Sequence, residues 1–377
     1  MTMGRLENLR NMLRQVEANV DDIESSALES GTSTYSEATL DIGQVESMPG
    51  QAEIATESLD LLLKGQINDI DTDGQDVLEA IVMPYYRPVV DIIDNQIVTT
   101  QLSNKWLHLS TDNHKRAIES TLKSIGRIEI PWHKSLPYAG TGFVVGRSSD
   151  DRGILMTNRH VAEFFSIGIG VQDLKFRVEG PVSVDFLREY GRDGIFDSLT
   201  VEKVLMIHPY WDMALLQVTG LSAKREPLKL SVTEPTNIED CEVITIGYPG
   251  YDPTGDLTYQ NVQNRIFRGV YYTKRLQPGV LRTRKSIESY NRSVLAITHD
   301  CSTLAGNSGS AVLKLPKSPN ESIEVIGLHF AGAYLRANYA VSTYDLAGDS
   351  RIVDTGIEFS ERRSSSEDRY GVYWSDI

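Results

Sequence analysis

Three short clusters carry side chains that could do chemistry. Leu155-Met156-Thr157-Asn158-Arg159-His160-Val161-Ala162 places a histidine just after an apolar run. His208-Pro209-Tyr210-Trp211-Asp212-Met213-Ala214-Leu215-Leu216 places an aspartate at the opening of another. Gly306-Asn307-Ser308-Gly309-Ser310-Ala311-Val312 sets a serine between glycines, just before a third. A serine hydroxyl is a weak nucleophile at neutral pH and needs a base to take its proton, which a histidine can do. The histidine in turn needs a buried carboxylate to fix its tautomer and steady its transient charge. A tetrahedral intermediate needs two backbone amides aimed at its oxygen. A Gly-x-Ser turn can offer those of Gly306 and Ser308, because glycine permits unusual backbone angles. Alone, each cluster has a plain explanation: a structural histidine, a helix-capping aspartate, a common turn. Asp212 follows His160 by 52 residues and Ser308 follows Asp212 by 96. Order and context together point to acyl transfer.

Such groups need rigid strand ends to hold them. From about Ile125 short apolar runs alternate with turns: 127–130, 141–146, 154–157, 214–218, 243–247, 311–313 and 325–328. Many strands at short spacing predict a mainly β fold of barrels or a sandwich. Ahead of it, Leu6, Leu9, Leu13, Val16, Val20 and Ile23 alternate steps of three and four. They predict an amphipathic heptad helix over 1–27, packed on the protein's own body or used for docking and oligomerisation. Residues 28–52 read as an acidic linker. Residues 53–122 read as a small α+β accessory region, with Asp76 capping a helix, a short strand near Pro88–Ile93 and a helix over 110–123. Asp69, Asp71, Asp73 and Gly74 resemble the start of a calcium loop, but its twelfth position is Ala80. The missing closing Glu favours the helix cap. Residues 123–350 make the β domain and 351–377 a polar C-terminal tail.

At 377 residues the chain has room for two or three domains. Hydrophobic residues at 40% and charged residues at 24% exclude a fully disordered or collagen-like chain. No apolar run approaches the ~20 residues of a membrane helix, and no signal-peptide core is evident. With two cysteines, the chain reads as cytoplasmic, Cys241 and Cys301 being buried thiols. Lys and Arg number 37 against 52 Asp and Glu, a net charge of −15. Residues 1–100 hold 5 basic and 19 acidic residues, and the rest 32 and 33, so the acidity belongs to the N-terminal quarter. That balance argues against sequence-independent nucleic-acid binding. The histidines show no metal-ligand spacing, so no metal or cofactor is expected.

These motifs resemble those of trypsin-like (chymotrypsin-fold) serine proteases, nearest the bacterial branch that includes glutamyl endopeptidases and HtrA-type proteases. The order His…Asp…Ser is that family's. Residues 157–162, 212–216 and 306–310 match its three motifs, and Gly247-Tyr248-Pro249-Gly250 resembles a strand-end motif of its second barrel. The resemblance covers about 123–350. It implies two six-stranded antiparallel barrels with the site between them, behind an N-terminal helical or mixed accessory region. His160 and Asp212 would come from the first barrel and Ser308 from the second, with the amides of Gly306 and Ser308 as the oxyanion hole. The animal enzymes carry an Asp before the nucleophile, which pairs with a newly cut N-terminus. Here that residue is Asn307, so activation by that salt bridge is not expected. The primary pocket would be lined by Ser302, Thr303 and Leu304 and by His329, Phe330, Ala331 and Gly332. Thr303 and His329 match a Thr–His pair of the glutamyl endopeptidases, which implies cleavage after Glu or Asp, a protonated His329 adding charge. The alternative is a core histidine beside a small-residue pocket.

The expected function is a serine endopeptidase acting on proteins or peptides through an acyl-enzyme. Residues 1–122 would regulate it or dock a protein partner, as in intracellular stress or defence systems. No nucleic-acid or membrane partner is expected. The competing reading is a catalytically silent pseudoprotease that binds peptides; a full set of three groups argues against it. An α/β-hydrolase would run Ser…Asp…His, the reverse order.

Overall fold

The computed structural model describes residues 86–361, apart from 137, 149–150, 169–175, 193, 195, 224, 236–240, 255–256, 319–320 and 334–336, together with residues 61, 66 and 69. The expected heptad helix, acidic linker and calcium-like segment lie outside the described residues, Asp69 excepted. The chain divides into two compact units, one of residues 1–88, 103–105 and 252–269, the other of the remainder.

Residues 89–102 and 106–122 open the larger unit. Strands β1 (Val90–Ile93) and β2 (Gln96–Ile97) form a hairpin over Asp94 and Asn95. Both turn residues have positive φ, 57° and 56°, as a two-residue loop between twisted strands requires. Helix α1 (Asp112–Leu122) has Thr111 at its N-cap and buries Ile118 and Leu122, one turn apart on one face.

Six strands then close an antiparallel barrel. They are β3 (Ile125–Glu129), β4 (Tyr138–Arg147), β5 (Gly153–Thr157), then, after helix α2 (Arg159–Glu163) and the ribbon of β6 (Ser166–Ile167) and β7 (Arg177–Val178), β8 (Ser183–Asp185), β9 (Ser198–Ile207) and β10 (Ala214–Thr219). Their order is β10-β5-β4-β3-β8-β9. Val144, Leu155, Leu216 and Val218 belong to one core cluster. Their chain neighbours Phe143, Val145, Ile154, Met156 and Leu215 belong to another. With both faces buried, these strands read as continuous apolar runs rather than alternating ones.

The second half holds β11 (Glu242–Gly247), β12 (Arg275–Val280), β13 (Lys285–Ser289), β14 (Arg292–His299), β15 (Ala311–Lys314), β16 (Glu324–Ala333) and β17 (Ala337–Ser342). Helix α3 (Leu257–Phe267), between β11 and β12 in the chain, belongs to the smaller unit. There Gln263 clamps Asp252, accepting from its amide at 2.9 Å and donating to its carbonyl at 3.0 Å. The strands form a nine-stranded sheet in the order β13-β14-β17-β16-β15-β11-β12-β1-β2. The expected second six-stranded barrel is therefore modified. β12 returns to β14 only through the bridge Leu281–His299, with Arg282 N donating to Thr298 O at 2.7 Å and Asp300 N to Val280 O at 3.2 Å. Six strands ring a small core of Val243, Leu281, Ile297, Val312 and Ala340, and β13, β1 and β2 extend the edges.

Two expected boundaries move. Val90 pairs with Leu276 and Asp91 with Arg275, and Asp91 and Arg275 form a buried ion pair at 3.0 Å. Trp106, Leu109, Ile118 and Leu122 share a core cluster with Phe143 and Ile246. Packing thus has no break at 122/123, and residues 89–102 and 106–122 of the accessory region are integral to the larger unit. At the other end, helices α4 (Thr343–Leu346) and α5 (Ser350–Val353) precede a packed segment. Ile352 is buried, Ile357 bridges Gly146, and Glu358 N donates to Val145 O at 2.6 Å. Residues 356–358 therefore pack on β4 and 358–360 pair with Leu230, so the chain stays packed well past 350; residues 362–377 lie outside the described residues.

Trp106 is fully buried. Trp106→Ala should lower global stability by about 3–5 kcal/mol. A urea transition whose midpoint falls as one step for all probes supports shared packing; an unchanged midpoint would contradict it.

Candidate active site

Thr157 and Ala214 face each other across the β5–β10 ladder. His160 lies three residues past the first and Asp212 two before the second, so both leave the barrel at one end. His160 sits in the first turn of α2, and Asp212 in the loop joining β9 and β10. His160 Nδ1 lies 2.7 Å from Asp212 Oδ2, and the His160 amide donates to Asp212 Oδ1 at 3.0 Å. Asn158 Nδ2 donates to the Asp212 carbonyl at 2.9 Å. The Asp212 side chain is 6% exposed and that of His160 33%. The carboxylate is withdrawn from water while the imidazole stays partly open to it.

Ser308 sits in the turn before β15. Its carbonyl accepts from Thr141 N at 2.8 Å, and Thr141 Oγ1 donates to Gly306 O at 2.8 Å. Thr157 Oγ1 donates to Thr141 O at 2.7 Å. The serine turn is thus bolted to β4 and through it to the strand that ends beside His160. A Cβ on Gly140 would lie 2.8 Å from Ser308 O and 2.9 Å from Val161 Cγ2. The serine turn and the residue after His160 therefore meet at one point on β4. No hydrogen bond joins Ser308 Oγ to His160 Nε2 in this structure; unliganded sites often close that bond only with substrate.

Gly306 and Gly309 shape the turn, with φ of 91° and 87°. A Cβ at Gly309 would lie 2.0 Å from Thr141 O, and one at Gly306 2.5 Å from Tyr248 O. Only glycine fits such angles in such crowding. The amides of Gly306 and Ser308 donate to no acceptor among the described residues, whereas those of Asn307, Gly309 and Ser310 go to Leu304 O, His329 O and Asn307 O. Two unspent donors on a held turn are what an oxyanion requires. Asn307 is fully buried. Its Nδ2 donates to Gln277 Oε1 at 2.9 Å, and its Oδ1 accepts from Gln277 Nε2 at 3.3 Å and Leu304 N at 3.2 Å. A neutral amide pair does here what a buried charge would need an ion pair to do.

The residues expected to line the pocket divide. Ser302 is buried and Leu304 half-buried. Thr303 Oγ1 donates to Asn338 Oδ1 at 2.6 Å, and Asn338 Nδ2 to Cys301 O at 2.6 Å. A Cβ on Gly332 would lie 2.5 Å from Asn338 Oδ1 and 3.5 Å from Thr303 Oγ1. Phe330 instead belongs to the large core cluster with Trp211 and Met213, and Ala331 packs against that cluster. His329 is buried, and its Nδ1 lies 3.2 Å from His299 Nε2, the rings tilted at 67°. Burial pushes His299 down to about 4. Burial, then His299 and His160 nearby, holds His329 well below the usual histidine range. The expected charged His329 is thus a neutral ring at pH 7. Cys301 is buried and Cys241 half-buried, both free thiols.

Several residues of the site carried no sequence signal. Thr141, Gln277, His299 and Asn338 are polar residues whose partners lie far along the chain. Tyr290, at the β13–β14 turn, donates to Glu163 Oε2 at 3.1 Å, and the Arg159 guanidinium lies 3.8 Å from its ring centre. That clasp ties the hairpin to the helix of His160.

With this geometry in view, comparison with known proteins is direct. Residues 140–317 match the family model of the trypsin-like peptidase domain, the span that contains His160, Asp212 and Ser308. A "Probable serine protease" of Lysobacter enzymogenes is 25% identical over 333 residues, covering 80% of this chain and 82% of that protein. The active form of the Rv3671c protease of M. tuberculosis is 20% identical, covers 66% of this chain and 86% of its own, and has a TM-score of 0.39. Deg5 is 20% identical, covers 62% and 90%, and has a TM-score of 0.41. Residues 140–317 thus match a trypsin-like peptidase domain, and proteolysis is the activity that this match and the Lysobacter relative support.

The buried histidines set a pH dependence. Unfolded, each would bind a proton near pH 6.5; folded, His299 does so only at about 4. As pH falls through that window the unfolded chain takes up more protons, so stability is lost. The slope should approach about 1.4 kcal/mol per pH unit for each such group. Urea titrations between pH 7 and 4.5 should show this fall, and His299→Gln should flatten it; equal slopes would contradict the assignment.

Proposed function

We propose that the protein is a serine endopeptidase in which Ser308 is the nucleophile, His160 the general base and Asp212 its orienting carboxylate. The observation that carries this reading is the 2.7 Å contact of His160 Nδ1 with Asp212, while Nε2 makes no hydrogen bond to the described residues. Ser308 Oγ attacks the scissile carbonyl carbon while its proton passes to His160 Nε2. The new oxyanion takes the amides of Gly306 and Ser308. His160 returns the proton to the leaving nitrogen as the C–N bond breaks, giving an acyl-enzyme and a free amine. Water then attacks the ester, its proton goes to His160 and on to Ser308 Oγ, and the carboxylic acid leaves.

A fluorophosphonate should label Ser308 in the wild type and not in Ser308→Ala. Asp212→Asn should label about ten-thousand-fold more slowly, as expected of an imidazole that has lost its orienting carboxylate. A wild type that stays unlabelled while Ser308 is accessible would favour the peptide-binding reading.

We further propose a preference for Glu or Asp before the cut. It rests on His329, whose Nδ1 is engaged by His299 and whose Nε2 makes no hydrogen bond to the described residues. That nitrogen can donate to a substrate carboxylate without first carrying charge. Thr303 contributes less than its type suggested, because its proton is committed to Asn338. In a peptide panel that varies only this residue, Glu should exceed Gln by about tenfold, the worth of one charge-assisted hydrogen bond. Equal or faster cleavage after Leu, Ala or Lys would overturn the preference.

A further inference from the structure

His208 opens the loop that carries Asp212, yet the proposed chemistry gives it no part. It is 1% exposed. Its amide donates to Met213 O at 2.9 Å, closing the loop at its base. Its Nδ1 accepts two amides from within the loop, Tyr210 N at 3.2 Å and Trp211 N at 2.8 Å. An imidazole nitrogen that accepts amides carries no proton, so the proton of this neutral ring sits on Nε2. There it meets Asp349 Oδ2 at 3.0 Å. Asp349 is itself buried, caps α5 through Arg351 N at 3.0 Å, and accepts from Arg351 Nε at 2.9 Å. Although burial works against it, hydrogen bonds from Arg351 and His208 hold its carboxyl below the usual range, so it stays charged. The charged groups that act on the ring are Asp349, Arg351 and Arg292.

We propose that His208 is a positioning residue for the His160–Asp212 pair. Its Nδ1 cap fixes the two peptides just before Asp212, and Asp349 fixes the tautomer that makes the cap possible. The loop is otherwise held by the Met213 N–Trp211 O bond at 2.8 Å, by Tyr210 Oη donating to Ser293 O at 3.0 Å, and at Asp212 itself by Asn158 and His160. None of those bonds holds the amides of Tyr210 and Trp211. Without the cap, both amides are left without partners beside a buried carboxylate, and the chain leading into Asp212 loses the bonds that set its approach, leaving Asn158 and His160 alone to place the carboxylate. Placement errors of that kind, on the order of 1 Å, can cost about a hundredfold in rate. The proposal rests on Asp212 orienting His160, as set out above.

The test uses the full chain and the rate of fluorophosphonate labelling at Ser308 from pH 5 to 9. His208→Asn keeps a carbonyl where Nδ1 accepts the loop amides and needs no fixed tautomer. His208→Gln reaches toward Asp349 and abandons the amides. His208→Asn should label within about threefold of wild type, whereas His208→Gln should fall by about 10–100-fold. A merely structural role would lower the thermal midpoint of both variants and leave the labelling rate of both folded proteins at the wild-type value, and that result overturns the proposal. Asp212→Asn serves as the reference. If it labels at the wild-type rate, the triad reading fails and takes this inference with it. If it collapses while folded His208→Gln matches wild type, this inference alone fails.

Discussion

The Asp212 carboxylate is nearly out of water, and a buried charge is tolerated only when its oxygens are engaged. One takes the imidazole of His160 and the other the backbone amide of the same residue. That double attachment fixes the start of α2 against the β9–β10 loop and sets which face of the imidazole remains open. Asn158 repeats the restraint from the neighbouring position, by holding the Asp212 carbonyl. The first barrel supplies the frame, because the ends of β5 and β10 are hydrogen-bonded neighbours. Two residues 52 apart in sequence are brought together by one strand pair.

Ser308 reaches the same place by a different route. Its turn belongs to the other sheet, and that turn is stitched to the first barrel through Thr141, whose amide and hydroxyl hold the carbonyls of Ser308 and Gly306. The arrangement turns those carbonyls inward and leaves the amides of Gly306 and Ser308 unspent. Preorganised donors of this kind need no rearrangement at the moment charge develops, which is where such sites gain most of their rate. The buried Asn307–Gln277 pair stiffens the turn from behind without any charge that would have to be created or released. The structure therefore favours a turn already formed, in line with the absence of an aspartate at position 307.

The pocket side shows how far burial alters a residue's chemistry. His329 and His299 are both types that could carry charge at pH 7, yet desolvation keeps the pair neutral. What they can offer is directional hydrogen bonding along a line of two rings that leads from the core toward the serine turn. Thr303, tied to Asn338, is likewise less available than its type implies. Specificity in such a site is decided by which protons remain uncommitted rather than by which side chains are present.

Much of the site was readable in the chain. The three clusters, the glycines of the serine turn and the mainly β texture are local: strand patterns, turn chemistry and residue order are written in adjacent positions. The helix over 112–122 and the strand near Val90 were legible for the same reason, from an N-cap, an apolar period and a β-branched run. What adjacency could not supply were pairings across distance. These include β1 joining β12, the closure of the second ring by the Leu281–His299 bridge, and the packing of residues 356–358 on the first barrel. Thr141, Gln277, His299 and Asn338 look like any polar residue on a strand until their partners are known. By itself the sequence determined the chemical groups and their order, because those depend on residue type and local turn geometry. The tertiary structure alone decided which of those groups are buried, neutral or free to donate, because solvation and hydrogen-bond partnership belong to positions in space.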